Sequence, residues 1–414
     1  MRVAKVLETL LGITGIVVES AEIGAEGVVF DVRPRRKKPR CGGCGKRAPG
    51  YDQREARQWR HLNLGATRIW LRYAPRRVEC ARCGVVNEQV PWGAAGGWFS
   101  SVFEETTAYL ARVADKTSVT KIMGIAWVTV GRIVERIVGE RLDSSRLDGL
   151  HFIGIDEFSY RKRHHYITVI LDHVTGRVVW AAKGRSSETL AAFFRELGPE
   201  RARKIEVVTL DMAEGFIKAV KEYAPQAKIV FDRFHVQRLA SDAVDQVRRA
   251  LVRIEDDPER KQAIKGSRFA LLRSEWNLTV DDRAKISEIQ RSNRSLYRAY
   301  LLKEALAHLL GYQQAGRAKK ALKEWLGWAS RSRLRPFLRV ARTIRKYRDG
   351  ILAYIDFRLT NGPVEGINNR MRTVARRAFG FHSAEALISM LFLCCSKIEL
   401  TPALPSSLHT SYAL

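Results

Sequence analysis

Two rhythms of apolar and polar positions divide this chain. Val3, Val6, Leu7, Leu10 and Leu11 recur at helical spacing, then Ile16–Ser20 and Val28–Val32 read as strands. Gln58–Tyr73, carrying Trp59, Leu62, Leu64, Ile69, Trp70 and Leu71, is strand-rich again. Gly93–Gly97 is a glycine-rich break, helix follows from about Val102, and Asp143–Gly149 is polar and turn-prone. From His151 short strands dominate: Phe152–Ile155, then Tyr166–Leu171 and Val178–Ala182 around a hairpin loop at Asp172–Gly176. Ser187–Leu197 puts Leu190, Phe193, Phe194 and Leu197 on one helical side; Ile205–Leu210 predicts a strand, Phe216–Tyr223 a helix and Ile229–Phe231 a strand. Beyond His235 the pattern is helical to about Phe357, and a last helix starts near Pro363, where Asn361 suits the cap.

These breaks predict five segments: 1–95, 96–148, 149–250, 251–355 and 356–414. The third has the order strand, strand, strand, helix, strand, helix, strand, which is α/β. The helical fourth reads as an insertion before the fifth completes that domain. Apolar runs such as Leu387–Cys395 fall short of the ~20 residues that span a bilayer. With no signal segment at Met1–Thr14, the expectation is a cytoplasmic, nucleoid-associated protein without a membrane partner.

Charge changes the picture. A net charge of +28 calls for a polyanion, and nucleic acid is the first candidate. The excess is uneven: residues 1–100 hold 18 basic and 9 acidic residues, and 251–350 hold 24 and 11. The first region includes Arg36, Lys37 and Lys38 ahead of Cys41, with Arg54, Arg57, Arg60, Arg68, Arg72, Arg76 and Arg77 interleaved behind. In the second, Arg331, Arg333, Arg335, Arg339, Arg342, Arg345, Lys346 and Arg348 fall within eighteen residues that contain no acid. Arg339, Arg342 and Arg345 are the expected phosphate contacts there.

Cys41-Gly-Gly-Cys44-Gly and Cys80-Ala-Arg-Cys83-Gly are two knuckles of one form, thirty-five residues apart. Two residues between thiolates let both sulfurs face one tetrahedral ion, and the following glycine suits the turn. The expectation is a structural zinc ribbon with no open ligand position. Ser118–Met123, the turn Gly124-Ile125-Ala126 and Trp127–Val138 have helix-turn-helix form, with Val119, Ile122, Ile125, Val130, Ile133, Val134 and Ile137 packed inside. Trp127, Thr129 and Arg132 would face a DNA groove.

Three acids occupy special points: Asp156 and Asp211 end strands, and Glu365 lies in the first turn of the helix near Pro363. Carboxylates at the ends of neighbouring strands converge, and hard oxygen ligands of this kind bind magnesium. Glu157, next to Asp156, is expected on the opposite strand face. Asn368, Asn369 and Arg372 follow Glu365 at helical spacing.

The strings Gly154-Ile155-Asp156-Glu157, Thr209-Leu210-Asp211-Met212, Phe231-Asp232-Arg233-Phe234-His235-Val236 and Thr360-Asn361-Gly362-Pro363-Val364-Glu365-Gly366-Ile367-Asn368-Asn369 together resemble the DDE transposases of bacterial insertion sequences, of the ISL-three family. The resemblance takes in the cysteine knuckles and the helix-turn-helix. It implies a ribonuclease H-like catalytic domain with Asp156, Asp211 and Glu365 as the triad on two magnesium ions, manganese being an alternative. Asp232 and His235, with Asn368 and Asn369, become accessory residues. DNA is the implied partner, as terminal inverted repeats and as target, bound by a homodimer or higher assembly. A DNA-binding regulator or a structure-specific nuclease on the same fold is the alternative.

Overall fold

In the computed structural model, which describes residues 3–94, 96–142, 144–161, 165–357, 362–377 and 383–403, the chain forms two units. One is Met1–Asp143 with Arg372–Leu414; the other is Ser144–Met371.

The first unit opens with α1 (Val3–Leu10), β1 (Ile16–Gly24) and β2 (Gly27–Pro34), then β3 (Gly50–Gln53), β4 (Arg57–Leu64), β5 (Thr67–Tyr73), β6 (Arg76–Cys80) and β7 (Gly84–Asn87). These strands make two sheets, β1-β2-β5-β4 and β3-β6-β7. The stretch 58–73, which lies between the two cysteine knuckles in sequence, forms the β4–β5 hairpin of the first of these sheets. The reason is apolar area. Trp59, Ile69 and Leu71 are buried with Ile16, Phe30, Val32 and Trp92 in a core of their own, whereas the ribbon buries little beyond Cys41, Val78 and Cys80.

Three helices follow: α2 (Ser101–Val113), α3 (Lys116–Met123) and α4 (Trp127–Arg141). Asp115 caps α3 by accepting from the Ser118 N–H at 2.9 Å, and Gly124 ends it in the left-handed conformation at φ 63°. The final helix, Ala384–Cys395 (α17), packs on α2 and α4. The Arg377 guanidinium donates to the Arg112 carbonyl at 2.7 Å. Residues from Arg372 onward, expected with the catalytic domain, therefore group with the N-terminal unit. The mainly apolar α17 finds its partner surface there.

The second unit is built on β8 (Phe152–Arg161), β9 (His165–Asp172), β10 (Arg177–Lys183), β11 (Val207–Leu210) and β12 (Lys228–Phe231), in the order β10-β9-β8-β11-β12. Strand β9 runs antiparallel to β8 and β10, while β8, β11 and β12 are parallel. Helices α5 (Ser187–Leu197), α6 (Pro199–Ala202), α7 (Glu214–Tyr223) and α8 (Arg233–Ile254) intervene or follow. Then come α9 (Pro258–Gly266), α10 (Arg268–Leu272), α11 (Val280–Ser292), α12 (Arg294–Leu309), α13 (Ala315–Arg331), α14 (Arg335–Lys346), α15 (Arg348–Phe357) and α16 (Gly362–Arg377), whose residues from Arg372 belong to the first unit.

Alternation along the strands gives the sheet two covered faces. Ile153, Ile155, Val208, Leu210 and Phe231 share a core with α5, α7 and α8. That same core continues into Leu302, Trp325, Phe337 and Ile344, so the helices of 251–355 are one body with the sheet rather than a separate module. On the other face Val207 and Val230 meet Ala353 and Tyr354 of α15. Gly350 lies so close to the Phe231 ring that a Cβ there has no room. Further along α15, Phe357 lies beside the Lys228 ammonium, 4.8 Å from its ring centre. Helix α15 thus runs against the direction of β12.

Candidate active site and metal centre

Register brings the acids together. Val207 of β11 stands opposite Phe152, and Thr209 opposite Gly154; two residues on, the same parallel register sets Asp211 level with Asp156. On the other flank Val207 stands opposite Lys228 and Leu210 opposite Phe231, which sets Asp232 level with Asp211. Three aspartates therefore form a row, Asp156 within β8 and Asp211 and Asp232 just past the ends of β11 and β12, at a strand spacing of about 4.8 Å. By alternation the row belongs to the face of Val207 and Val230. All three are half-buried. Each accepts a backbone N–H from just downstream: Asp156 from Glu157 at 2.7 Å, Asp211 from Ala213 at 3.1 Å and Asp232 from Phe234 at 2.8 Å. Asp232 is thereby the N-cap of α8, and His235 Nε2 stands 3.9 Å from its other oxygen.

Asp156 does not end its strand. Strand β8 continues to Arg161, paired with β9, so the hairpin rises past the acid row on one side. Beneath the row, His173 Nε2 and Thr209 Oγ1 are 2.7 Å apart. Gly154 gives them space: a Cβ there would come within 3.1 Å of the ring and 3.2 Å of the hydroxyl. Glu157, on the opposite strand face, is not remote from the row. Burial raises its carboxyl above the usual carboxylate value, and the negative charge of Asp211 adds to that, while Arg185 and His235 pull the other way.

Glu365 lies on α16, at the helical positions it shares with Asn368, Asn369 and Arg372; Ile367, Met371 and Val374 make the buried stripe opposite. The Glu365 and Asn368 side chains, like Asn361, lie outside the described residues, and Asn369 is exposed. Glu214, first residue of α7, bonds the Lys346 ammonium, joining the turn after Asp211 to the end of α14.

The cysteines meet as their spacing predicts. All four Sγ atoms lie within 4.8 Å of one another, with Cys44 and Cys80 3.6 Å apart. A tetrahedral zinc with ~2.3 Å bonds needs sulfurs about 3.8 Å apart, so the set fits one ion. Gly45 and Gly84, which follow the knuckles, both take φ 69°. Backbone N–H groups of Arg82 and Cys83 pull the Cys80 thiol down to about 7, while the neighbouring thiols push Cys83 up to about 12. Such crowding is what a bound dication relieves.

The surrounding arginines mostly serve the fold. Arg72 pairs with Asp31 and Glu22, Arg76 with Glu88, Arg77 with Asp52 and Arg68 with Glu26. Arg60 is buried, and Arg57 lies between Trp59 and Trp98 at 4.5 and 4.7 Å. Arg36 is half-buried and bonds the Gln89 carbonyl, which leaves Lys37 and Lys38 as the exposed pair of that run.

In the helical hairpin, Val119, Val130, Ile133, Val134 and Ile137 are buried as expected, but Ile122 is exposed. Trp127 is half-buried, with the Lys116 ammonium 3.3 Å from its ring centre; Thr129 is half-buried too. Arg132 is exposed, and so is Val128, one helical turn before it and not singled out by sequence. Helix α14 buries Phe337, Val340, Ala341 and Ile344 and turns Arg335, Arg339, Arg342 and Arg345 outward. Arg339 bonds Gln246 at 2.6 Å and Arg345 bonds Ser330 at 3.2 Å; both acceptors are neutral, so the charge stays uncompensated.

Two family models match the chain. One, described as a transposase, covers residues 153–391; the other, a zinc-finger of transposases of IS204, IS1001, IS1096 and IS1165, covers 37–83. Among curated relatives, a protein named transposase for insertion sequence element IS1557, from Mycobacterium tuberculosis, is 37% identical over 95% of this chain and 96% of its own length. A transposase for insertion sequence element IS1001 from Bordetella parapertussis is 30% identical over 92% and 95%. Among the described residues no helix is long and apolar enough to cross a membrane.

Proposed function

We propose, since this chain belongs to the ISL-three family of insertion-sequence transposases, that Asp156, Asp211 and Glu365 form its catalytic triad, in a ribonuclease H-like domain that cuts and rejoins DNA. The observation that carries this reading is the parallel pairing of β11 with β8, whose register at Thr209 and Gly154, carried two residues on, sets Asp211 level with Asp156. The strand order β10-β9-β8-β11-β12, with β9 alone reversed, supports the fold assignment. For the third acid, α15 leaves the chain near Lys228, about 13 Å below the level of Asp232. The five steps from Phe357 to Gly362, where α16 begins, span up to about 16 Å at ~3.3 Å each, farther than that.

Carboxylate oxygens in a row are the donor set that magnesium or manganese takes, and a divalent ion held by Asp156 and Asp211 would lower the pKa of water and stabilise a leaving oxygen. The residues do the rest by position. Backbone N–H bonds hold Asp156 and Asp211 in place before substrate arrives. Asp232 and His235 sit at the end of the row, next to the opening of α8, and Asn368 and Asn369 share the helix of Glu365. In the first step water attacks phosphorus and the 3′-oxygen leaves, giving a 3′-hydroxyl and a 5′-phosphate. In the second, that 3′-oxygen attacks a target phosphodiester and displaces its 3′-oxygen, so bonds broken and made balance.

The ribbon and the α3–α4 hairpin read the terminal inverted repeats, with Lys37, Lys38 and Arg132 as contacts, and the α14 arginines hold the backbone beside the cut. A homodimer or larger assembly brings two ends together, in the cytoplasm where the nucleoid lies. The test is a labelled duplex carrying the element's end. With magnesium or manganese the protein should cut it to a 3′-hydroxyl and join it to a second duplex, and calcium should support binding alone. Binding without cutting in every metal would contradict this reading.

A further inference from the structure

The end of the sheet that carries the acid row also carries a cation that the motifs do not mark. The loop after β10 lies at the same end of the sheet as the acids, because β10 runs parallel to β8 and β11. Its path is fixed. Gly184 N–H donates to the Tyr166 carbonyl at 2.8 Å, and the Thr168 hydroxyl donates to the Gly184 carbonyl at 2.8 Å. Gly184 takes φ 116°, and a Cβ there would strike the Thr189 hydroxyl, so this turn requires glycine. Ser186 then caps α5 with a capping box to Thr189.

This loop borders the second acid's own turn. The Ser187 N–H lies 3.4 Å from where a Cβ of Gly215 would sit, four residues past Asp211. On the β8 side, Thr168, which holds Gly184, is the cross-strand partner of Glu157. Between these two anchors stands Arg185. Its guanidinium stacks on the Tyr166 ring at 4.3 Å and has no ion pair among the described residues; the side chain is exposed. A guanidinium held over a ring face keeps its fork of N–H donors free for another partner. That fork matches two oxygens of a phosphodiester.

We infer that Arg185 binds a phosphodiester of the DNA strand beside the scissile bond, and so seats that bond over the acid row. Resting as it does on the assignment of Asp156 and Asp211 to the active centre, the inference adds a protein cation that takes up phosphate charge beside the acids.

The experiment is single-turnover cleavage of duplexes carrying one neutral methylphosphonate at each position flanking the cut, by wild type and Arg185→Ala. One neutral position should slow the wild type about ten- to a hundredfold, the worth of a charged hydrogen bond. Arg185→Ala should be slow by a similar factor on ordinary DNA and lose no more at that position. Arg185→Lys, which keeps charge but not the fork, should fall between, and it covers the case of an alanine variant that melts below assay temperature. Equal sensitivity of wild type and Arg185→Ala at every position would overturn the inference. Asp156→Asn separates the two readings: if it is inactive while Arg185→Ala cuts normally, only Arg185 is wrong; if it cuts, the active centre itself is misplaced.

Discussion

The parallel register of Thr209 with Gly154, carried two residues on, sets Asp211 level with Asp156, although fifty-five positions separate them in sequence. The parallel pairing of β11 with β8 creates that relationship, and it needs space beneath it. Gly154, two residues before Asp156, lets the His173 ring reach Thr209, two residues before Asp211. Gly154→Ala should therefore press on both groups and cost about 1–3 kcal/mol, the usual range for overpacking. Urea unfolding measures the loss, and Gly154→Ala with His173→Ser should recover part of it. A Gly154→Ala protein as stable as wild type would show that the ring has room to move.

The zinc site makes a second prediction. Cys41→Ser or Cys80→Ser should release one zinc per chain, measured by elemental analysis, and unfold the ribbon, since metal binding supplies most of the folding energy of such small modules. The second unit has its own core and should keep its melting transition.

His61 gives a pH signature. Its Nε2 bonds the Leu11 carbonyl at 3.0 Å and its Nδ1 the Ser100 hydroxyl at 2.7 Å, and burial lowers its pKa to about 4 from the ordinary 6.5. Between those values the unfolded chain binds a proton that the folded chain refuses. The stabilisation is complete above pH 6.5 and drains away as pH falls toward 4, by about 1.4 kcal/mol per pH unit at most. Melting temperatures of wild type and His61→Gln across that window should converge as the solution is acidified.

The outward arginines of α14 predict a salt effect. Replacing Arg339, Arg342 and Arg345 with alanine should flatten the dependence of log affinity on log salt by about 0.9 for each DNA phosphate that the variant no longer neutralises. An unchanged slope would make the face a solvated one.

Much of this was legible in the sequence because it is local. The C-x-x-C-G spacing gives the metal cluster, and Ser187–Leu197 is a helix over its predicted bounds. Asp156 and Asp211 were visible as strand-linked acids. Their alignment was not, because register between strands fifty residues apart depends on pairing and leaves no periodic trace. Charge misled in one place: Arg60, Arg72, Arg76 and Arg77 look like a DNA-binding run, yet burial and ion pairs commit them to the fold. The reverse holds at Arg185, which only the folded loop brings to the end of the sheet where the acids lie. The grouping of α17 with α2 and α4 was equally hidden, since an apolar helix does not announce its partner.

The central claim is that Asp156 and Asp211 act as one metal-holding pair. Its direct measurement is cleavage and joining of element-end DNA by Asp156→Asn and Asp211→Asn in magnesium, beside their affinity for the same DNA. Amides keep the shape and remove the charge. Each variant should bind within about twofold of wild type while cleavage and strand transfer fall together by several orders of magnitude, roughly the scale on which metal-bound water is activated. Either variant cutting at the wild-type rate would contradict the account.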